Sequence, residues 1–341
     1  MSRSKTAALL VALTIVGCSA PGTQSLVNGI APPPIVQQQR SATRAIAGSF
    51  TEYKVPTAKS RPNQIALGPD GAMWFTESNA NKIGRVTSQG SFREFVVTTA
   101  SSQPVGIAAG PDGAMWFTEM AVEKIGRITK SGTITEYKIH VALPLPHSAP
   151  YYITAGPDGN LWFTQTNANQ IGRMTPGGVN SNYLLSAPKS LPAGIVSGPR
   201  GELWFAESGI RRIGRSTTRG GISEVQVPKG SVPQDVTVGS DTNLWFTDSG
   251  NNAIVRLRNG HKVAYAIPTP SSMPIGITAG PENALWFAES AAGKIGEMTL
   301  AGTFTEYVVP TSGSGVSSVV PDAHGALWFT EPLTNKIGRL Q

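Results

Sequence analysis

The decisive stretch is Pro62-Asn63-Gln64-Ile65-Ala66-Leu67-Gly68-Pro69-Asp70-Gly71-Ala72-Met73-Trp74-Phe75-Thr76-Glu77, followed after a short Asn-containing loop by Lys82-Ile83-Gly84-Arg85. Gly68-Pro69-Asp70-Gly71 suits a type I turn, with Pro second and Gly fourth. Short runs of β-branched and aromatic residues flank it, as strands do. The same frame returns along the chain. Tryptophan stands at 74, 116, 162, 204, 245, 286 and 328, spaced by 42, 46, 42, 41, 41 and 42 residues, and phenylalanine follows it every time. A fixed period of this size marks a solenoid, a propeller or an array.

Each repeat reads as four strands, near Ile65, Trp74, Ile83 and Glu94 in the first. No segment sustains a 3.6-residue period, so helices are not expected. Four strands in about 42 residues is the blade of a β-propeller. The predicted fold class is therefore all-β, a seven-bladed β-propeller with four-stranded blades. The last repeat stops at Lys336-Ile337-Gly338-Arg339 and lacks a fourth strand. Gly48-Ser49-Phe50-Thr51-Glu52-Tyr53 closely matches Gly302-Thr303-Phe304-Thr305-Glu306-Tyr307. The N-terminal strand is thus predicted to complete the last blade and close the ring, which removes exposed sheet edges and any need for capping repeats. One Trp per blade in one frame reads as packing between blades, each ring removing up to about 250 Å² from water. The Gly of Lys-Ile-Gly-Arg is expected to leave room for an aromatic ring.

Composition sets further bounds. Gly and Pro make up 64 of 341 residues, consistent with a turn-rich folded chain. One Cys excludes an intrachain disulfide and a Cys-based zinc site. The net charge of +7 owes four charges to Arg3, Lys5, Arg40 and Arg44, leaving 24 basic against 21 acidic residues over 49–341. A nucleic-acid partner would want a concentrated basic stripe and is not expected.

Residues 1–18 read as a lipoprotein-type signal peptide. Arg3 and Lys5 precede an apolar run of eleven residues, Ala7 to Gly17, too short to span a membrane. The run ends in Ile15-Val16-Gly17-Cys18, which resembles a bacterial lipobox with Cys18 as the lipidated residue. The alternative is an ordinary secretory signal cut after Ala20. Residues 19–48, with Pro32-Pro33-Pro34 and Gln37-Gln38-Gln39 and no acid or aromatic, read as a flexible tether. Residues 49–341 are the propeller. The expected location is the cell envelope, with the membrane engaged only through the N-terminal lipid; a soluble secreted or periplasmic protein is the alternative. The chain is expected to be a monomer.

The strings Ile153-Thr154-Ala155-Gly156-Pro157-Asp158-Gly159-Asn160-Leu161-Trp162-Phe163-Thr164 and Asn81-Lys82-Ile83-Gly84-Arg85 resemble the streptogramin B lyase (virginiamycin B lyase) family over all seven repeats. The resemblance implies a seven-bladed propeller that opens a cyclic depsipeptide by elimination across its ester, using Mg²⁺. It also implies a His after the Pro that opens the sixth inner strand, a Glu-x-His at the seventh, and a Glu four residues past the seventh Trp. Those positions hold Ile275, Gly315 with Ser317, and Pro332. The position after the strand-opening Pro carries no His in any repeat.

Other candidates come from residue type. His147 lies in the loop that lengthens one spacing to 46, and long loops often carry function. His140, His261 and His324 read as surface residues, the last in the Asp slot of a Gly-Pro-Asp-Gly turn. Glu77, Glu119, Glu207, Glu289 and Glu331 recur with Lys82, Lys124, Arg212, Lys294 and Lys336, and acid and base vanish together at Gln165 and Gln170. Structural ion pairing is the expectation for that set, rather than metal binding. The best binding surface is the ring where inner strands begin: Asn63, Gln64, Tyr151, Tyr152, Gln234, Asp235, Ser317 and Ser318. Tyrosines with amides and one carboxylate suit a small-molecule, peptide or sugar ligand. Three functions remain open: a ligand-binding or divergent family member; a Mg²⁺-dependent lyase; and a metal-dependent lactonase using Asp235 with Asn63. The cofactor is unknown, Mg²⁺ if the lyase reading holds.

Overall fold

The computed structural model describes residues 48–140 and 147–341. The expected signal peptide, Cys18 and all of the expected tether before residue 48 lie outside the described residues. So does Val141–Pro146, the part of the long loop just before His147.

Twenty-eight strands form seven antiparallel sheets of four. In blade 1 the strands are Pro62–Leu67, Met73–Glu77, Lys82–Val86 and Phe92–Val96, running in order from the innermost outward. Blade 7 closes as the sequence predicts. Phe50–Lys54 pairs antiparallel with Lys336–Leu340, with Phe50 opposite Leu340 and Lys54 opposite Lys336. Glu52 then repeats what Glu94 does in blade 1, accepting from Lys336 Nζ and from Thr311.

Each blade has a tryptophan face and a phenylalanine face, since successive strand residues point to opposite sides. Trp74 of blade 1 packs with Phe117 of blade 2, Trp116 with Phe163, Trp162 with Phe205, and Trp328 with Phe75 across the closure. Burying one such indole is worth about 5 kcal/mol as an upper bound. Opposite Phe75 stands Gly84, where a Cβ would overlap the Phe75 ring. The predicted room for a ring is therefore filled by the same blade's Phe.

The repeated Asp has a defined task. Asp70 Oδ1 accepts from Trp74 Nε1 at 3.0 Å, and Oδ2 pairs with Arg85 Nε at 2.7 Å. Arg85 in turn lies 5.8 Å over the Trp74 ring. Blade 7 keeps the contact by another route. His324 fills the Asp slot, but Asp322, two residues earlier, receives Trp328 Nε1 at 2.9 Å. Blades 4 and 6 have Arg200 and Glu282 there, and the indole nitrogens of Trp204 and Trp286 lack a partner.

The expected ion pairs have a different acid. Lys82 Nζ pairs with Glu94 at 2.8 Å, not with Glu77; Lys124 pairs with Glu136, Arg212 with Glu224, Lys294 with Glu306 and Lys336 with Glu52. Glu77, Glu119, Glu207 and Glu289 are fully buried and, among the described residues, form no salt bridge. The reason is the outer strand. Glu94 also binds the Thr57 amide and hydroxyl, in the crossover from the previous blade, and so holds Lys82 in a shared cluster. In blade 3 the three positions are Gln165, Gln170 and Asn182, and Gln165 Nε2 donates to Asn182 Oδ1 at 2.7 Å. Acid and base vanish together there because a three-residue set became neutral.

Candidate functional site

The site-bearing face is made by irregular starts to the inner strands. In blades 1 to 6 the register shifts between the opening Pro and the residue three later, as between Pro62 and Ile65. Such bulges re-aim side chains. The Thr of Trp-Phe-Thr-Glu secures them. Thr76 Oγ1 accepts from Gln64 N at 3.2 Å and donates to Val105 O of the next blade at 2.8 Å. Thr118, Thr247 and Thr330 bridge to the following blade in the same way, through Tyr151 O, Ile275 O and Asn63 O.

The seven inner strands surround a cavity of about 330 Å³. Its first tier holds Gln64, Tyr152, Asp235 and Ser318, and its second includes Ala66, Ala108, Thr154, Val196, Thr237, Thr278 and Val320. The equivalent first-tier positions of blades 2, 4 and 6 are Gly106, Gly194 and Gly276. These glycines are required by crowding. A Cβ would overlap Tyr151 O at Gly106, the Asp235 carboxylate at Gly194 and Ser317 O at Gly276. Bare and occupied positions alternate around the mouth so that each side chain lies over a neighbouring glycine or backbone. Gln64 Oε1 accepts from Ile107 N at 2.7 Å, and Asp235 Oδ2 from Ile277 N at 3.2 Å, each tying one blade to the next.

Among the described residues Asp235 is the one carboxylate lining the cavity. Its Oδ1 accepts from Val236 N at 2.9 Å. Burial pushes its carboxyl up to about 7, opposed by those two backbone donors. Among the described residues no cationic side chain pairs with it. Burial also raises Tyr152 well above the ordinary phenol range, with Asp235 and Tyr151 adding to it, so its hydroxyl remains a donor. The Tyr151 and Tyr152 rings lie 5.1 Å apart at 60°.

Of the residues picked from sequence, Gln64, Tyr152, Asp235 and Ser318 line the cavity. The others fall outside its lining. Asn63 Nδ2 reaches Ser78 Oγ at 3.4 Å and Gln234 Nε2 reaches Ser249 Oγ at 3.0 Å, both within their own blades. Asn63 and Asp235 therefore do not converge on a metal. Ser317 gives its carbonyl to Gly276 N. His147 is 82% exposed, 3.8 Å from Glu123 Oε1, which is held by Ser148 N. The second-tier threonines Thr154, Thr237 and Thr278 were missed. The signal was available, since they stand two residues beyond the first tier and face the same side.

A family model described as the Virginiamycin B lyase family matches residues 35–229 and 140–341. The chain belongs to the virginiamycin B lyase family. The crystal structure of virginiamycin B lyase from Staphylococcus aureus is 37% identical with a TM-score of 0.81, covering 86% of this chain and 99% of that one. A catalytically inactive histidine-to-alanine variant of the same lyase, with quinupristin, matches equally well, at 37% identity and TM-score 0.81 over 86% and 99% of the two chains. A gluconolactonase from Xanthomonas campestris shares the propeller fold at 15% identity and a TM-score of 0.57, covering 91% of this chain and 95% of that one.

Within this virginiamycin B lyase family member, the positions that the resemblance assigns to catalysis carry no ionisable side chain. Ile275 packs into the apolar cluster between blades 6 and 7. Gly315 adopts φ +62°, and a Cβ there would crowd Leu333. Ser317 N donates to Thr330 O at 3.1 Å. Glu331, which precedes Pro332 in sequence, is fully buried; its Oε2 accepts from Thr334, and burial, reinforced by Glu52, raises it to about 7. Among the described residues no three of His, Cys, Asp and Glu come together. A Mg²⁺ ion prefers near-octahedral oxygen ligation, and this set of residues does not fit it.

Proposed function

We propose that this protein is a divergent, ligand-binding member of the virginiamycin B lyase family that does not carry out the elimination. The observation behind this reading is the residue set Ile275, Gly315, Ser317 and Pro332 at the family's catalytic positions. Elimination needs a base for the Cα proton and an acid or metal for the leaving oxygen, and none of these side chains can serve. What remains is the channel mouth, with Gln64, Tyr152, Asp235 and Ser318 around a cavity walled by small apolar residues and threonines. This fits the general form of a small-molecule site, concave with a few placed polar groups. The ligand class is a small molecule, peptide or sugar. We further propose export and display on the tether, anchored through Cys18; loss of labelled-palmitate incorporation in Cys18→Ser would support this, and unchanged incorporation would refute it.

The competing reading is a Mg²⁺-dependent lyase acting on a type B streptogramin. It is favoured by the 37% identity to virginiamycin B lyase from Staphylococcus aureus. The test incubates residues 48–341 with a type B streptogramin, with Mg²⁺ and separately with EDTA, and reads the product by mass spectrometry. No ring opening is expected. A Mg²⁺-dependent linear product of unchanged mass would refute the binding reading, because elimination adds no water.

A further inference from the structure

We propose that the channel mouth takes a small organic ammonium ion, its charged head against Asp235 and the ring of Tyr152. The proposal rests on the reading of the mouth as a binding site and names the chemical class of its ligand. Among the described residues Asp235 is the only carboxylate in the cavity wall, and its partners are two backbone amides. A carboxylate held away from water without a cation is costly, and a ligand that brings the cation relieves that cost. The position is built for the carboxylate: Gly194 leaves the space it occupies, and any side chain there would displace it.

The aromatic partner is in place as well. Tyr152 lines the same cavity and is close enough to Asp235 to feel its charge. An aromatic ring attracts ammonium groups, including quaternary ones that cannot hydrogen-bond. Arg61, exposed at the strand opening of blade 1, influences Tyr151 but forms no ion pair with Asp235. Deeper in, Ala66, Ala108, Val196 and Val320 give the wall apolar patches between the hydroxyls of Thr154, Thr237 and Thr278. Ammonium with an apolar body matches both parts. A hard metal ion matches neither, since it wants six or more oxygens.

The test is calorimetric titration of residues 48–341 with four probes: benzyltrimethylammonium, 2-phenylethylamine, 2-phenylethanol and 3-phenylpropanoate. Binding of the two cations, with the alcohol and the acid about tenfold or more weaker, is the expected result. Asp235→Asn should remove the preference, with its melting curve recorded to show that it folds. Tyr152→Leu leaves the Asp235 hydrogen bonds intact and should weaken the quaternary probe more than the primary amine. Equal binding of all four would overturn the ammonium assignment while leaving a binding site. Binding of none would overturn the ammonium assignment, while the binding reading stands or falls on the streptogramin incubation. Asp235-dependent binding of Mg²⁺ or K⁺ that displaces the amines would also overturn it.

Discussion

Replacing Glu77 by Gln should make the protein more stable at pH 8 and leave it nearly unchanged at pH 5. Glu77 ends the second strand of blade 1, fully buried and in no salt bridge among the described residues. Burial, then the charge of Glu94, raises its carboxyl from 4.5 to about 7. The folded protein therefore holds a proton that the unfolded chain releases. That contribution is full below pH 4.5 and is lost progressively as pH rises to about 7. The gap corresponds to about 3 kcal/mol, at 1.36 kcal/mol per pH unit. Gln cannot ionise, and its amide can donate toward the Glu94 carboxylate as the protonated acid would. Blade 3 already uses this solution, with Gln165 donating to Asn182. Urea unfolding at pH 5 and pH 8 should show a gain approaching 3 kcal/mol at the higher pH and a difference within about 1 kcal/mol at the lower. The parent should itself weaken from pH 5 to 8, because Glu207, Glu289 and Glu331 are raised to about 7 and Glu119 to about 8, each chiefly by burial. A gain independent of pH, or a parent whose stability is flat over this range, would refute the reasoning.

Gly84→Ala should cost about 1–3 kcal/mol through overpacking against Phe75, seen in thermal melts; unchanged stability would mean the ring can move aside. Starting the chain at residue 55 instead of 48 should leave blade 7 with an open edge. It would also strip Phe50 from Phe329, 6.0 Å away, and Tyr53 from its stack on Trp328 at 5.7 Å. The expected outcome is a lower melting temperature with association on size-exclusion chromatography. A monomer with the parental melting point would contradict the closure argument.

The seven blades and their closure were legible because each rests on local signals: one Trp-Phe per period and an N-terminal copy of the outer-strand motif. The ion pairs were read with the wrong acid for a topological reason. Lys82 faces Glu77 across one pair of strands, and Glu94 lies nearby across the other. What decides between them is Thr57, in the crossover from the preceding blade, 37 residues before Glu94. Nothing local announces that contact. The same holds for Asp322, which serves Trp328 from a position where other blades carry Gly. At the mouth, the residue after each opening Pro looked equivalent to the one following it. Only the bulged register separates Asn63, held by Ser78, from Gln64, which lines the cavity.

The alternation of glycine and side chain around the mouth cannot be completed on an odd-membered ring. Gln64, Gly106, Tyr152, Gly194, Asp235, Gly276 and Ser318 follow one another, and the sequence then returns to Gln64 with two occupied positions side by side. Ser318 is small, and its Oγ lies 3.4 Å from Ile65 N of blade 1, so the misfit is absorbed at that junction. Six or eight blades would alternate without a defect; seven place one at the junction between blades 7 and 1, and the four different side chains fix the azimuth. A guest on the axis therefore meets a carboxylate, a phenol and an amide in one cyclic order, and a pseudo-symmetric ring becomes able to distinguish one orientation of that guest from another.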